Sequence, residues 1–349
     1  MRIILPIVAI LLAGTTPLVA EPFKVGVSAP FTGELAEYGE AVRNGFEMSM
    51  AEHPGSQLLF RFEDNQYDAK AALSAYRKLV GEEKVNAFFS WGEAPLHAVA
   101  PLVERQGMPT VAMSVDTAPA EGNPSIILSI NTPSQFVDKL RSELRSRGLK
   151  RIGFVVTEDP FTQGLFDVFA KTKLPDETVE VIASVPSSER DFKTIATKVA
   201  RSGYDAIGVY LLSGQVQSMY RELGKLRFAR PSFGSDVFES RGEVEGAGGA
   251  IEGALYPNLL VPADFRSRYR ARFAKDSQVA YAYNSYVVGR WFLSAFGAGQ
   301  DVARTDVLGR LKSLPLNESV KVRVAPNEVT YLDFPLVVRR VGRGDFEDL

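Results

Sequence analysis

Two rhythms of apolar positions alternate along this chain. Short apolar runs of strand character are separated by stretches in which apolar residues recur every three to four positions, the helical period. Residues 23–27 form the first run, and Val42, Phe46 and Met50 follow at helical spacing, which predicts a helix starting near Ala41. Residues 58–62 then read as strand, 69–80 as helix, 87–89 as strand, 95–105 as helix and 110–113 as strand. The rhythm restarts with a strand over 151–156, a helix over 161–171, a strand over 179–185, a helix over 192–200, a strand over 206–212 and a helix over 216–226. Short strands are expected at 232–234 and 250–255. Strands separated by helical patterns make βαβ units and a parallel sheet, so the two runs predict two doubly wound α/β lobes.

From residue 262 to 314 the pattern is mostly helical, with Tyr269 and Phe273, Tyr283 and Val287, and Trp291 and Ala295 each one turn apart. Tyr281, Tyr283 and Tyr286 read as a packed helix face and therefore as core. The tail changes character: 320–324, 329–332 and 336–341 are short, β-rich and separated by turn residues. A helical block followed by strands can complete both lobes. Crossings are expected near 129–133, 255–261 and 324–329, which puts 21–132 with 259–325 in one lobe and 133–258 with 326–349 in the other. Several crossing strands make a hinge, because few residues then absorb a closure motion.

Composition narrows the function. The chain has 349 residues, more than single cores usually reach, and its 45% hydrophobic and 23% charged content is ordinary for globular domains. A net charge of −2 gives no argument for nucleic acid or an anionic membrane surface. The absence of cysteine excludes disulfides, thiolate metal sites, cysteine nucleophiles and lipidation at a cysteine. His53 and His97 each stand alone, outside any zinc-binding spacing, and no metal or other cofactor is expected. The glycines of 246–251 lack the third glycine of a dinucleotide fingerprint and do not follow a strand, so they read as a turn. Neither a nucleophile elbow nor a P-loop is present, and no catalytic set emerges. Arg2, the apolar run over 3–13 and Leu18-Val19-Ala20 together read as a signal peptide over 1–20, cleaved before Glu21, with the mature chain soluble in the periplasm. The run is shorter than the ~20 residues a membrane span needs.

Against that background, Pro30-Phe-Thr-Gly-Glu-Leu-Ala-Glu-Tyr-Gly39 resembles the first ligand loop of type I periplasmic binding proteins of the leucine/isoleucine/valine-binding branch. Glu63-Asp64-Asn65, the block from Phe89-Ser-Trp-Gly-Glu-Ala-Pro95 to Ser114, Gly153 to Gly164, and Phe233-Gly-Ser-Asp236 are similar in order and spacing. The resemblance implies two Rossmann-like lobes joined by a multi-strand hinge. It also implies a monomer that captures a small molecule and delivers it to a membrane ABC permease. Carried over by position, Tyr38 would pack on the ligand. Glu93 falls where the family places a hydroxyl that holds a ligand carboxylate, and Ser114, Asp116 and Thr117 fall on its second anion-binding loop. Phe161 takes the aromatic position of the second lobe, Leu212 lies near a usual tyrosine, and Asp236 matches the acid that pairs with an α-ammonium group.

The chemistry of these residues is uneven. The turn at Gly92 opens a helix whose free N–H groups and dipole favour anions. Trp91 beside it is amphipathic enough to edge a pocket. Yet Glu93 places a carboxylate where a hydroxyl donor is expected, and Asp116 adds a second acid nearby. Either Glu93 points away and the ligand is an ordinary apolar or aromatic amino acid, or the ligand is not a simple α-amino acid. A cationic, amide-rich or polyhydroxylated solute suits Glu93 and Asp236 better. A sensory binding protein without a transporter is an alternative role, and a periplasmic hydrolase on a similar fold is a third.

Overall fold

The computed structural model describes residues 21–349 except 276, 300, 301, 318 and 344, so the expected export signal over 1–20 lies outside the described residues. In chain order, β1 (Phe23–Ala29), α1 (Ala36–Ala51), β2 (Leu58–Asp64), α2 (Ala69–Arg77), β3 (Ala87–Trp91), α3 (Glu93–Gln106), β4 (Thr110–Met113) and β5 (Ile126–Leu128) build most of one lobe. The helix α4 (Pro133–Ser146) leads into the other, which contains β6 (Arg151–Thr157), α5 (Pro160–Lys171), β7 (Thr178–Val185), α6 (Lys193–Arg201), β8 (Ala206–Tyr210), α7 (Gln215–Lys225), β9 (Ser232–Gly234), α8 (Arg241–Gly246) and β10 (Leu255–Leu259). The chain returns through α9 (Ala263–Phe273), α10 (Val279–Phe296) and α11 (Val307–Ser313). It ends in β11 (Lys321–Val324), β12 (Thr330–Asp333), β13 (Leu336–Val341) and β14 (Phe346–Asp348).

The strand order is β11-β12-β5-β4-β3-β1-β2 in the first sheet and β14-β13-β10-β9-β8-β6-β7 in the second. The pairs among β1–β5 and among β6–β10 are parallel. Of the added strands, β12 joins β5 in parallel, whereas β11 pairs antiparallel with β12, β13 with β10 and β14 with β13. Both faces of β1 are covered: Val25, Val27 and Ala29 on one face have no exposed surface and Ser28 on the other is 1% exposed, as expected for a central parallel strand. In each sheet the order reverses beside the first strand, between β1 and β3 and between β6 and β8. The carboxyl ends of strands at such a switch point bound a crevice where α/β sheets take ligands.

The boundaries differ from expectation in instructive places. The first helix begins at Ala36, not near Ala41, so Tyr38 and Gly39 lie inside it. Gly39, expected at the end of the loop, makes a close contact instead: a Cβ there would stand 2.0 Å from the Pro30 carbonyl oxygen. The residues before Leu255 form turns, and β10 runs to Leu259. The final β14 has no counterpart in the sequence reading. The last crossing also moves. Tyr331 of β12 pairs with Leu128 of β5, so β12 belongs to the first sheet and the chain crosses between Asp333 and Leu336, not near 324–329.

The crossings lie side by side. Buried Asn131 donates from Nδ2 to the Phe334 carbonyl at 3.0 Å, and its Oδ1 accepts from the Phe334 N–H at 3.1 Å. The N–H of Leu260 donates to the Pro335 carbonyl at 2.8 Å. Each connection is therefore tied to its neighbour by backbone groups that would otherwise be orphaned.

Candidate ligand-binding site

A cavity of ≈ 330 Å³ lies between the lobes and is lined from both. This size is at the low end of the ~300–1,000 Å³ usual for small-molecule pockets. The start of α1 with the loop before it, the ends of β3 and β4 and the start of α10 face it from the first lobe; α5 and the ends of β8 and β9 face it from the second.

One wall is aromatic. The Tyr38 ring lies 5.6 Å from Trp91 and 5.2 Å from Tyr281, centroid to centroid. Trp91 in turn lies 5.7 Å from Tyr67 and 5.8 Å from Tyr281. These are edge-to-face or tilted arrangements, the geometry that ring quadrupoles favour.

Glu93 is the first residue of α3, directly after Gly92, which adopts φ +98°. A side chain at Gly92 would be strained, and its Cβ would stand 2.7 Å from the Tyr67 ring, so glycine both turns the chain and admits that ring. The Glu93 carboxylate is 7% exposed as a residue and accepts from the Val115 N–H at 3.0 Å and from the Tyr67 hydroxyl at 3.4 Å. Burial pushes its pKa up to about 7; the Val115 N–H and its own N–H oppose the rise, and Asp159 and Asp236 add to it.

Asp236 opens a short 3₁₀ turn after β9 and accepts a hydrogen bond from the Tyr281 hydroxyl. Burial pushes its carboxyl up to about 6. Asp159 caps α5 by accepting from the Phe161 N–H at 3.0 Å, and burial raises its pKa as well. The pair Tyr281–Asp236 joins the two lobes. So does the Ser240 hydroxyl, which donates to Glu37 Oε2 at 3.0 Å. At the rim, exposed Arg190 and Glu34 approach to 3.6 Å. The lobes thus meet around the cavity.

Of the residues singled out in the sequence, Tyr38, Trp91, Gly92, Glu93, Ser114, Phe161, Leu212 and Asp236 line the cavity. Asp116 and Thr117 do not. After Val115 the chain turns, with the Ala118 N–H donating to Asp116 Oδ1 at 2.9 Å. That turn points Asp116 at His97, with Nε2 and Oδ2 2.6 Å apart, and lets Thr117 donate to Glu121 at 2.9 Å. The second acid that acts on Glu93 is therefore not Asp116; Asp159 and, across the cavity, Asp236 both raise its pKa.

Tyr281 is a correction of another kind: read as core, it lines the cavity and bonds Asp236. Tyr67 and Asn284 also line it and were missed. Tyr67 follows directly on the carboxyl end of β2, a position that could have flagged it. Among the described residues no cluster suited to a metal ion occurs, and no helix is long and apolar enough to cross a membrane.

Residues 22–327 match the family model described as periplasmic binding protein. Leu/Ile/Val-binding protein homolog 6 of Brucella abortus is 25% identical over 223 residues, covering 61% of this chain and 57% of that protein's own length. A leucine binding protein, LivK, from Thermotoga maritima superposes with a TM-score of 0.80 at 20% identity, over 94% of this chain and 97% of that one. An ABC transporter solute binding protein of R. palustris in complex with benzoate superposes with a TM-score of 0.77 at 17% identity, over 94% and 95%. These superpositions establish the two-lobed fold.

Proposed function

The chain belongs to the periplasmic binding protein family, and we propose that it is the solute-binding component of an ABC importer, capturing a small polar or amino-acid-like ligand by closing its lobes. The observation that carries this reading is the cavity lined from both lobes, with the lobes joined at Tyr281–Asp236 in its wall and at Glu37–Ser240 outside its lining. A ligand touching both walls favours the closed state by its extra contacts there, and closure then becomes the signal that binding has occurred.

The family is one of binding proteins, not of enzymes. The relatives support a small solute: one is named for leucine, isoleucine and valine, and one solved neighbour holds benzoate. On this reading the mature protein works as a monomer in the periplasm and presents its closed outer face to a membrane permease. Tyr38, Trp91, Gly92, Glu93, Ser114 and Tyr281 serve as the contacts of one lobe, and Phe161, Leu212 and Asp236 as those of the other. The hinge divides the chain near 131, 260 and 334, as the sheet memberships suggest.

The test is a thermal-shift screen over amino acids, amides, polyamines, aromatic acids and small alcohols, with mass spectrometry of any molecule released on denaturation. A ligand present at 100 times its Kd adds about 2.7 kcal/mol of stability. A flat response together with no released molecule would count against the reading. Loss of uptake of the identified ligand on gene deletion would separate transport from sensing.

A further inference from the structure

One backbone donor of the cavity wall is already in use, while the Trp91 indole N–H and the Tyr38 and Ser213 hydroxyls there have no partner among the described residues. The N–H of Val115, a residue of the cavity wall, is held at 3.0 Å by Glu93 Oε1, and the Tyr67 hydroxyl turns to the other oxygen of the same carboxylate. The protein's own acid thus occupies that N–H of the wall. Across the cavity, Asp236 supplies a second carboxylate, occupied on one oxygen by Tyr281. Arg190, the basic side chain among the described residues lining the cavity, lies exposed at the rim, where it donates to the Ser187 and Glu189 carbonyls and faces Glu34. Between two acids and four rings the interior therefore holds no positive charge. Buried charges are ordinarily paired, and the faces of tyrosine and tryptophan rings attract cations.

We propose, building on the solute-binding reading, that the ligand is a compact organic cation: an amine or quaternary ammonium on an apolar body, without a carboxylate. It is neutralised by Glu93 and Asp236 and boxed by the rings of Tyr38, Tyr67, Trp91 and Tyr281. Burial raises both carboxyls in the ligand-free protein, and a bound cation supplies the counter-charge that reverses this.

The test uses the full mature chain at about pH 8 with five probes: choline, its neutral isostere 3,3-dimethylbutan-1-ol, phenethylamine, isoleucine and benzoate. Titration calorimetry should show choline or phenethylamine binding, with the isostere at least tenfold weaker than choline where choline is the binder. Glu93→Gln and Asp236→Asn should each weaken the cation at least tenfold. A molecule carried through purification should prove to be an amine or a quaternary ammonium without a carboxylate. Isoleucine or benzoate binding better than both cations overturns the inference and leaves the solute-binding reading intact. So does an isostere equal to choline, or a co-purified acid. Silence from both cations overturns the inference, and silence from all five with no co-purified molecule removes the underlying reading too.

Discussion

The Tyr281 hydroxyl, on a helix of the first lobe, donates to Asp236 Oδ2 in the second. The same ring packs edge-on against Tyr38 at 5.2 Å, so one side chain serves both the aromatic wall and the closure of the cleft. Replacing it by phenylalanine keeps the wall and removes the bond. Tyr281→Phe is expected to weaken ligand binding by about 1.5–3 kcal/mol, the range for a hydrogen bond to a charged group. Small-angle scattering of the ligand-free protein should show a larger radius of gyration than wild type. Unchanged affinity and unchanged scattering would mean that the bond does not hold the lobes.

Glu93 makes stability depend on pH in a definite direction. Its folded pKa is raised from 4.5 to about 7, so the folded state holds the proton more tightly than the unfolded one. The stabilising contribution is fully present below the unfolded value and disappears as pH rises through the folded one, a change on the order of 3 kcal/mol. The ligand-free protein should lose melting temperature between about pH 4.5 and 8, and Glu93→Gln should flatten that slope and melt higher at the alkaline end. Parallel slopes for the two proteins would show that Glu93 is not the group responsible.

Gly39 tests whether the start of the first helix positions the site. Its missing side chain lets the helix lie on the Pro30 carbonyl, 2.0 Å from where a Cβ would be. Gly39→Ala should destabilise by about 1–3 kcal/mol through overpacking, and, by displacing neighbouring Tyr38, reduce ligand affinity as well. Urea denaturation and calorimetry read the two effects. A neutral result in both would show that the contact relaxes freely.

A buried ion pair underlies the floor of the second lobe. Arg339 Nη1 lies 2.6 Å from Glu239 Oε2, with side chains 0% and 1% exposed. The same oxygen accepts from cavity-lining Asn258 at 2.7 Å. Arg339→Met leaves Glu239 uncompensated and should cost about 3–5 kcal/mol. Adding Glu239→Leu should restore part of that loss. A double variant no more stable than the single one would argue that Glu239 is held chiefly by Asn258 and Tyr256.

The alternation of strands and helices was readable because each segment carries its own periodicity. What sequence could not show was contact between distant segments. Gly39 was placed in the loop because the reason for its small size lies across space, at Pro30. Tyr281 looked like core because α10 is buried nearly all round, so periodicity cannot distinguish a face turned to a cavity from one turned to protein. Asp116 drew attention as an acid, while the group that reaches the site is the side-chain-independent N–H of Val115. The strand β12 was placed in the wrong lobe because a short alternating strand suits either sheet, and its partner Leu128 lies far away in sequence.

The late strands also bear on the order in which the molecule can assemble. Each sheet takes strands from beyond residue 320, β11 and β12 for one and β13 and β14 for the other. A chain emerging from the ribosome amino end first cannot complete either sheet until Thr330 and the residues after it are free. Both sheets stay unfinished until these residues have emerged, leaving an interval in which a chaperone can hold the chain before it commits to its fold.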